Sequence, residues 1–459
     1  MNVAVFGAGY VGLVTGAVFA DLGNQVTLVE ISPSKIEQIR EGRSPIYEEG
    51  LDSMLARVVG ANRLRVTSDA KEAVPFADII FVSVGTPPMA NGEADMRYVR
   101  DAALAIGRSL LPDRPRVIVN KATVPIGSAN LVEIWIQDGF ATAHGGETLS
   151  TDWYAVASNP EFLREGTAIH DTLYADRIVI GTDKPWAIDR LRALYDPIVH
   201  QSFEPPPEAL RPAGLNHVPL IVTDRISAEL IKYAANAFLA TKISFANEIA
   251  NVADRVGADV AEVMRGIGLD ARIGPRFLNA GIGWGGSCLG KDLAALTVMA
   301  ENYGYVPRLL EAAADVNRQQ RLLAVKLVQE ELKTIKGRRI AIWGLAFKPG
   351  TDDLRDAPSL TIIEELLRLG ARVRVYDPVA MENLRRQAPE LSVEYAPSAM
   401  EALDGSDALI LVTEWPEFRD VSPSELKARL ARGVVIDGRN VWDPAAMRSA
   451  GIRYRAIGR

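Results

Sequence analysis

Ten residues near the start of the chain, Val3-Ala4-Val5-Phe6-Gly7-Ala8-Gly9-Tyr10-Val11-Gly12, predict an apolar strand, a glycine turn and the first turn of an apolar helix. This is the G-x-G-x-x-G pattern of dinucleotide-binding folds, in the strand–turn–helix context that it needs. Gly7 permits the tight turn, Gly9 lets a pyrophosphate approach backbone N–H groups, and Gly12 lets the helix pack close to the strand. The chain is therefore predicted to begin with a Rossmann-like parallel sheet.

The next predicted strand indicates which dinucleotide would bind. Gln25–Val29 is apolar enough for a second strand and is followed by Glu30, about 20 residues after the glycines. An acidic residue there hydrogen-bonds the ribose hydroxyls of NAD and repels the 2′-phosphate of NADP. We therefore predict NAD as the cofactor. The alternative is a structural glycine turn followed by an unrelated glutamate.

Composition restricts the classes of function. A chain of 459 residues with 48% hydrophobic content is large enough for about two to four domains. Its single cysteine argues against a disulfide framework and fits a reducing cytoplasm. With no leader segment and no apolar run near the ~18 residues of a membrane span, a cytoplasmic protein is expected. A net charge of −7 without a basic tail argues against nucleic acid, and the four scattered histidines suggest no metal site.

Strand and helix patterns divide the chain into three parts. Strands and helices alternate up to a proline-rich stretch at 205–219, a long helical pattern then covers Thr223–Val256, and strands return after Gly337. The predicted class is α/β, with two Rossmann-like doubly wound parallel sheets joined by a central long-helix dimerisation region. The predicted boundaries are 1–210 for the NAD-binding domain, 211–336 for the central region with the cysteine loop, and 337–459 for the second Rossmann-like domain.

The second predicted sheet lacks the dinucleotide pattern. Gly344-Leu345-Ala346-Phe347-Lys348 follows its first strand in place of three spaced glycines, so NAD is not expected there. Cations at or after the strand ends, Lys348, Arg355 and Arg439, instead suit a phosphorylated ligand. The two sheets and a thiol-bearing loop together suggest NAD for one sheet and a phosphorylated substrate for the other.

The only cysteine lies in a glycine-rich segment, residues 281–292. Five of the ten residues from Gly281 to Gly290 are glycines, which would let backbone and ligand approach closely. A helix is predicted from Asp292 to Tyr303, which places Cys288 just before a helix N-terminus with Lys291 beside it. Both features favour a thiolate, the reactive form. The alternative is a structural cysteine on a glycine turn with Asp292 as the N-cap.

Several motifs, in order and nearly from end to end, resemble the UDP-glucose/GDP-mannose dehydrogenase family. They are Gly7–Gly12, Val84–Pro87, Lys121–Pro125, Ser158–Gly166, Lys232 with Asn236, Arg272–Gly274, the Cys288 segment, Gly344–Lys348 and Asp437–Arg439. The resemblance implies a four-electron oxidation of a sugar-nucleotide alcohol to a carboxylate, with two NAD and one water. The expected reaction is UDP-glucose to UDP-glucuronate.

The resemblance also implies roles for catalytic residues. Cys288 would add to the intermediate aldehyde, giving a thiohemiacetal and, after the second oxidation, a thioester that water hydrolyses. Lys232 and Asn236, four residues apart on one helix face, would stabilise the developing negative charge on oxygen.

Three further residues would serve the water. Glu161 would act as general base, through a water held by Thr123. Asp292 would order water and the Lys232 ammonium.

The resemblance assigns two binding sets, which share some residues with the catalytic group. The cofactor set is Gly7, Gly9, Tyr10, Val11, Gly12, Glu30, Lys35, Thr86, Thr123, Glu165, Lys291 and Arg355. The substrate set is Glu161, Phe162, Leu163, Arg164, Lys232, Asn236, Arg272, Phe277, Leu278, Gly285, Phe347, Lys348 and Arg439. Because the resemblance places Arg272 in the sugar site of a neighbouring subunit, a homodimer or higher homo-oligomer is expected.

Other functions remain open at this stage. Within the family, the substrate could be GDP-mannose or a UDP-N-acetylhexosamine, although the N-acetylhexosamine branches commonly carry His where this chain has Ser287. Outside it, a two-electron NAD oxidoreductase or epimerase with a structural Cys288 would release one NADH or none per sugar. A catalytically silent NAD-sensing or scaffold protein is a third alternative, against which the presence of Cys288, Lys232 and Glu161 speaks.

Overall fold

Short apolar runs form the strands of two sheets in the computed structural model, which describes residues 1–459 and divides into two units, Met1–Ala235 and Asn236–Arg459. The sheet of the first unit has the order β3-β2-β1-β4-β5-β6-β7-β8, and every neighbouring pair is parallel except β6 with β7. Its strands are β1 (Asn2–Phe6), β2 (Gln25–Val29), β3 (Leu64–Thr67), β4 (Ile79–Val82), β5 (Arg116–Asn120), β6 (Tyr154–Ser158), β7 (Ile178–Gly181) and β8 (Leu220–Thr223).

Helices cover both faces of this sheet. They are α1 (Tyr10–Asp21), α2 (Pro33–Arg40), α3 (Leu51–Gly60), α4 (Arg97–Ser109), α5 (Ser128–Ala143), α6 (Ala168–Leu173) and α7 (Pro185–Val199). Apolar side chains of α1, α3, α6 and α7 form the core on one face, and those of α4 and α5 form the core on the other. Because helices cover both faces, β4 and β5 are buried along their whole length, and β4 and the centre of β5 are apolar.

The long helical pattern forms a single helix, α8 (Arg225–Val256). The prediction that Asp224 caps it is confirmed, because the Asp224 carboxylate accepts hydrogen bonds from the N–H and the hydroxyl of Ser227 at 2.8 and 2.6 Å. Thr223, predicted as its first residue, belongs to β8 instead.

The second unit contains a six-stranded, fully parallel sheet of order β11-β10-β9-β12-β13-β14. Its strands are β9 (Arg339–Trp343), β10 (Arg372–Tyr376), β11 (Val393–Tyr395), β12 (Ala408–Leu411), β13 (Val434–Asp437) and β14 (Arg453–Ala456). Its further helices are α9 (Val260–Gly268), α10 (Leu289–Asn302), α11 (Arg308–Leu332), α12 (Pro358–Arg368), α13 (Met381–Gln387), α14 (Ala399–Leu403), α15 (Pro416–Arg419), α16 (Pro423–Arg429) and α17 (Pro444–Ser449).

The predicted fold class is confirmed, since both sheets are Rossmann-like and carry helices on two faces. The three-part division at residues 210 and 336 stays a prediction. No helix combines the length and the apolar character needed to cross a membrane.

Candidate functional site

The turn between β1 and α1 has the shape that a dinucleotide needs. Gly7 has a φ of +94°, and a Cβ there would lie 3.0 Å from the Ser83 carbonyl oxygen. A Cβ on Gly12 would lie 2.0 Å from the Gly7 oxygen, whereas one on Gly9 would meet no atom within 4 Å. Gly7 and Gly12 are thus required by the packing of the protein itself. Gly9 leaves open space at the N-terminus of α1, where backbone N–H groups attract an anion.

Glu30 lies beside this turn, at the carboxyl end of β2. One carboxylate oxygen accepts the N–H of Ala8 at 2.9 Å, and the other accepts the N–H groups of Ile31 and Ser32 at 2.8 and 2.9 Å. Three backbone donors therefore hold a nearly buried negative charge next to the glycine turn, with acceptor capacity left over for ribose hydroxyls. The residues present fit NAD.

Other residues of the predicted cofactor set lie in the segments and helices that follow strands of the first sheet. The Tyr10 hydroxyl donates to the carbonyl oxygen of Tyr47 at 2.8 Å, and the Thr86 hydroxyl donates to the carbonyl oxygen of Thr123 at 2.8 Å. Val11 and Lys35 are half-buried, in α1 and α2, and Glu165 is buried in the segment after β6.

An almost completely buried ion pair is the chemical centre of the first unit. Lys232, in α8, donates from Nζ to Oε1 of Glu161 at 2.9 Å, and both side chains are at most 7% exposed. The other oxygen of Glu161 accepts the N–H of Leu163 at 2.9 Å, so the carboxylate has a fixed orientation. The Phe162 ring lies 5.5 Å from Lys232 Nζ and carries the Arg177 guanidinium at 3.5 Å from its centre. The structure thus brings together four predicted residues and adds Arg177.

Arg164, predicted in the substrate set, has its charge paired. Its guanidinium contacts both oxygens of Asp171, at 2.7 and 2.9 Å. Its side chain is largely exposed.

A second buried lysine, which sequence reasoning left without a role, lies behind the ion pair. Lys121 follows β5 and donates from Nζ to Oδ1 of Asn159 at 3.1 Å, with the Tyr195 hydroxyl at 3.5 Å. Burial lowers the pKa of Lys121 to about 8. A lysine shortly after the apolar run Val117–Val119 of a predicted buried strand was the sequence signal that could have identified it.

Two more polar residues that the sequence did not single out border a small cavity with Thr123 and Lys232. Glu229 accepts the N–H groups of Gly127 and Ala129 and the hydroxyl of Ser158, at 2.6, 3.2 and 3.0 Å. Burial raises the pKa of Glu229. The amide of Asn120 is buried without a protein partner for either of its polar atoms. Buried polar groups without a protein partner commonly bind ordered water.

In the second unit, Cys288 is the N-cap residue of α10 and its thiol is exposed. The prediction that this helix starts at Asp292 was wrong, because the helix begins three residues earlier, at Leu289. Asp292 is therefore in the first turn and does not serve as N-cap. The thiol lies at the positive end of the helix, which favours the thiolate.

Asp292 is the centre of a buried polar cluster. Its carboxylate accepts the Asn236 amide at 2.6 Å and the Lys291 ammonium at 2.5 Å. The Lys291 ammonium, predicted to lie beside the thiol, is therefore paired with Asp292, and its effect on the thiol stays a prediction.

Buried amide side chains hold the cysteine loop in place. Asn247 and Gln320 bind the N–H and the carbonyl of Gly281, both at 2.8 Å. Asn317 binds the N–H and the carbonyl of Trp284 at 2.8 and 3.0 Å. These contacts come from α8 and α11, so residues distant in sequence shape the loop.

The glycines of the cysteine loop are required by close packing inside the second unit. A Cβ on Gly285 would lie 2.4 Å from the carbonyl oxygen of Asp356. Gly286 has a φ of +90°, and a Cβ there would lie 2.7 Å from the Phe347 ring. Gly285 and Phe347, both predicted to bind substrate, thus have a packing role as well.

In the second sheet, the turn that follows β9 is filled by atoms of the protein itself. A Cβ on Gly344 would lie 2.3 Å from Thr413. Asp377, at the end of β10, is fully buried and accepts four backbone N–H groups and the indole N–H of Trp415.

The predicted cations of this sheet have partners. Arg439 donates to the carbonyl oxygens of Val412 and Gly283 at 2.7 and 2.9 Å, and burial lowers its pKa. Arg355 contacts both oxygens of Asp353, and Lys348 lies 5.7 Å from the centre of the Phe347 ring.

The loop after α9 carries the last predicted residues. The Arg272 side chain is 89% exposed and pairs with Asp270 at 2.6 Å. Phe277 is half-buried with a φ of +63°, and Leu278 is buried in the core. No group of three His, Cys, Asp or Glu side chains is arranged to hold a metal ion.

Comparison with known proteins gives a consistent result. Three domains of the UDP-glucose/GDP-mannose dehydrogenase family match the chain: the NAD binding domain over residues 1–199, the central domain over 226–319 and the UDP binding domain over 341–444. The chain is 44% identical over 458 residues to the UDP-glucose 6-dehydrogenase TuaD of Bacillus subtilis, covering 100% of the chain and 93% of the relative. It is 43% identical to a UDP-glucose 6-dehydrogenase of Pseudomonas aeruginosa, with 100% and 98% covered. A solved UDP-glucose dehydrogenase of Pyrobaculum islandicum superimposes with a TM-score of 0.88 at 39% identity, covering 100% of this chain and 97% of that one.

Proposed function

This chain belongs to the UDP-glucose/GDP-mannose dehydrogenase family, and from that premise we propose that it oxidises UDP-glucose to UDP-glucuronate, using two NAD and one water. The observation that carries the proposal is the identity of 43–44% with UDP-glucose 6-dehydrogenases over the whole chain. The buried Lys232–Glu161 pair and the exposed thiol of Cys288 supply the reactive groups that such a reaction needs.

When bound, NAD accepts the hydride that is removed in each of the two oxidations. The open space at Gly9 would admit its pyrophosphate, and the Glu30 carboxylate would hold its ribose. The same carboxylate would repel a 2′-phosphate, so NADP would be a poor substitute.

Cys288 would perform the covalent chemistry. Its thiolate would add to the carbonyl carbon of the aldehyde from the first oxidation and form the C–S bond of a thiohemiacetal. Oxidation of that species leaves a thioester. Water then attacks the thioester carbon, the C–S bond breaks, and the carboxylate and the thiolate are released.

Lys232, Asn236 and Asp292 would stabilise and order the reacting oxygens. Lys232 and Asn236 are one helical turn apart in α8, and each already donates to a carboxylate, Glu161 or Asp292. Ammonium and amide donors of this kind stabilise the negative charge that develops on oxygen in tetrahedral species.

Glu161 would accept the proton of the attacking water, and Thr123 would help to hold that water. The contact of Lys232 with one oxygen of Glu161, and of the Leu163 N–H with the other, supports this role because a general base must be held in a fixed orientation.

The rest of the substrate set would bind the sugar nucleotide. In the first unit these residues are Phe162, Leu163 and Arg164. In the second unit they are Arg272, Phe277, Leu278, Gly285, Phe347, Lys348 and Arg439. Lys291 and Arg355 would contribute to cofactor binding, as the resemblance implies.

We also propose that the enzyme is a homodimer or a larger homo-oligomer. Large apolar side chains are exposed at intervals along α8. Exposed apolar surface of this kind indicates a site of interaction with another protein surface. The exposed side chains are Ile226, Leu230, Phe238, Phe245, Val252 and Val256.

The test is the ratio of NADH released to sugar consumed. We expect two NADH per UDP-glucose with NAD, far slower reaction with NADP, and less activity with UDP-galactose, UDP-N-acetylglucosamine and GDP-mannose. One NADH per sugar would contradict the thiol mechanism and favour a two-electron enzyme. A preference for another sugar nucleotide would keep the chemistry and replace the substrate.

A further inference from the structure

Lys121 is a buried titratable group for which the proposed mechanism has no use. It borders a cavity of about 50 Å³ behind Glu161, which is roomy enough for ordered water. Asn159, Glu161 and Tyr195 line the same cavity. Burying a lysine costs free energy unless its charge is compensated, so a structural role alone would be met more cheaply by an apolar side chain.

The contacts of Lys121 lead directly to the segment that carries Glu161. Its ammonium and the hydroxyl of Tyr195 both donate to Oδ1 of Asn159, at 3.1 and 2.5 Å. The amide nitrogen of Asn159 donates to the carbonyl of Val179 at 2.7 Å. Asn159 is thus held from three sides, and Glu161 follows it after Pro160, whose ring restricts the backbone. A displacement of Asn159 would therefore also displace the Glu161 carboxylate.

Charge couples the two residues as well. Burial is the main influence that lowers the pKa of Lys121 to about 8, the Glu161 carboxylate opposes this decrease, and the Lys232 ammonium adds to it. The other titratable groups on the cavity are Tyr195, whose pKa burial raises, Asp171, which is paired with Arg164, and Arg177, which lies over Phe162. The pKa of Lys121 is therefore close enough to neutral for its charge to change in the physiological range.

We propose that Lys121 is a positioning residue for the hydrolytic step, which holds the Glu161 segment through Asn159 and whose charge sets how readily Glu161 accepts a proton from water. The inference rests on the proposed function, because it concerns the same thioester hydrolysis. A charged Lys121 stabilises the ionised Glu161 and makes it a weaker base. Loss of the Lys121 proton removes that stabilisation, so hydrolysis accelerates as the pH rises through about 8.

Two variants separate charge from packing. Lys121→Met keeps most of the length but is neutral at every pH, whereas Lys121→Arg is charged at every pH and keeps a donor for Asn159. Lys71→Met, at an exposed position, is the control for loss of a lysine. The rate of hydrolysis is measured in a single turnover, by quenching and mass spectrometry of the Cys288 thioester. In this species the sulfur is acylated and cannot titrate.

We expect the wild-type protein and Lys71→Met to show an increase in the hydrolysis rate, about 3- to 10-fold, centred near pH 8, and both Lys121 variants to lack it. Lys121→Met should also hydrolyse the thioester about 10- to 100-fold more slowly at pH 7, with the KM for NAD changed less than twofold. Lys121→Arg should recover part of that loss. Parallel pH profiles in all four proteins would overturn the proposal.

A second measurement does not depend on activity. NMR titration of protein labelled with 13C at lysine Cε should show one resonance with a midpoint near pH 8 that is missing in Lys121→Met. A midpoint above 10 for Lys121 would overturn the proposal even in a fully active enzyme. If the midpoint is near 8 and no thioester forms from UDP-glucose, the proposed function is at fault and the mechanism built on it, including this one, falls for that separate reason.

Discussion

Replacing Glu161 by glutamine removes the proposed base while leaving an oxygen for Lys232. In the structure Lys232 donates to Glu161 Oε1 at 2.9 Å in a nearly closed environment. Removing one partner of a buried ion pair costs about 3–5 kcal/mol of stability. Because the glutamine oxygen still accepts a hydrogen bond and the Phe162 ring lies 5.5 Å from the ammonium, we expect the lower end, about 3 kcal/mol.

The kinetic effect should be confined to hydrolysis. Loss of a general base typically costs about 10²- to 10⁴-fold in rate, whereas neither hydride transfer requires Glu161 to accept the water proton. Glu161→Gln should therefore release close to two NADH per active site in a rapid burst and then stall as the thioester. Stopped-flow absorbance of NADH measures the burst, and intact-protein mass spectrometry detects the adduct on Cys288.

Glu208→Gln is the matched control, because it makes the same change in an ion pair remote from the proposed chemistry. Glu208 contacts Arg57 through two hydrogen bonds, at 2.7 and 3.0 Å. This variant should turn over at a rate close to wild type without an adduct. The assignment of Glu161 is wrong if Glu161→Gln keeps a steady-state rate within tenfold of wild type, or if it stalls with no sulfur-linked product.

Three further expectations follow from individual contacts. Cys288→Ser should lose turnover by several orders of magnitude while keeping NAD affinity, since an ester hydrolyses far more slowly than a thioester; near-normal turnover would exclude the thiol mechanism. Arg272→Ala should raise the KM for UDP-glucose about 10- to 100-fold. If the arginine acts on a neighbouring subunit, mixing Arg272→Ala subunits with Cys288→Ala subunits should restore activity. No recovery after proven subunit exchange would exclude action in trans. Hydrogen bonds from Arg57 lower the pKa of Glu208 to about 2, so this pair should stabilise the fold above pH 4.5 and lose that effect as the pH falls towards 2. Urea unfolding should accordingly show Glu208→Gln about 1–2 kcal/mol less stable than wild type at pH 7, a modest value because Arg57 is more than a third exposed. If the difference in unfolding free energy between the two proteins did not narrow by pH 3, the predicted pH dependence would be wrong.

The parts of the fold that sequence predicts well are those set by local requirements. The first strand, the glycine turn and the second strand ending before Glu30 lie where the pattern places them, because apolar strands and tight turns depend on neighbouring residues. The cap of α8 is local in the same way, because Asp224 accepts the hydroxyl of Ser227, only three residues further along the chain.

Long-range contacts account for what the sequence did not show. The start of α10 was misplaced because Asp292 has the appearance of an N-cap, yet its carboxylate binds Asn236, 56 residues earlier in the chain. Likewise, Lys121 acquires its low pKa from burial and, to a smaller extent, from the Lys232 ammonium, which lies 111 positions away in the sequence and which no local pattern reports. Its position in a motif was visible, but its environment was not.

Glycines illustrate the same limit for binding sites. The sequence analysis interpreted the glycines around Cys288 together, as places where backbone and ligand approach closely, whereas it gave the three glycines of the first turn separate roles. In the structure, a Cβ on Gly285 would meet the Asp356 backbone, and one on Gly12 would meet Gly7, so each is required by the protein itself. Among the glycines of the first turn, only Gly9 opens on empty space, and it is also the one at a helix N-terminus. Whether a glycine serves a ligand or the fold therefore depends on what its missing side chain would touch, which the count of glycines in a segment does not reveal.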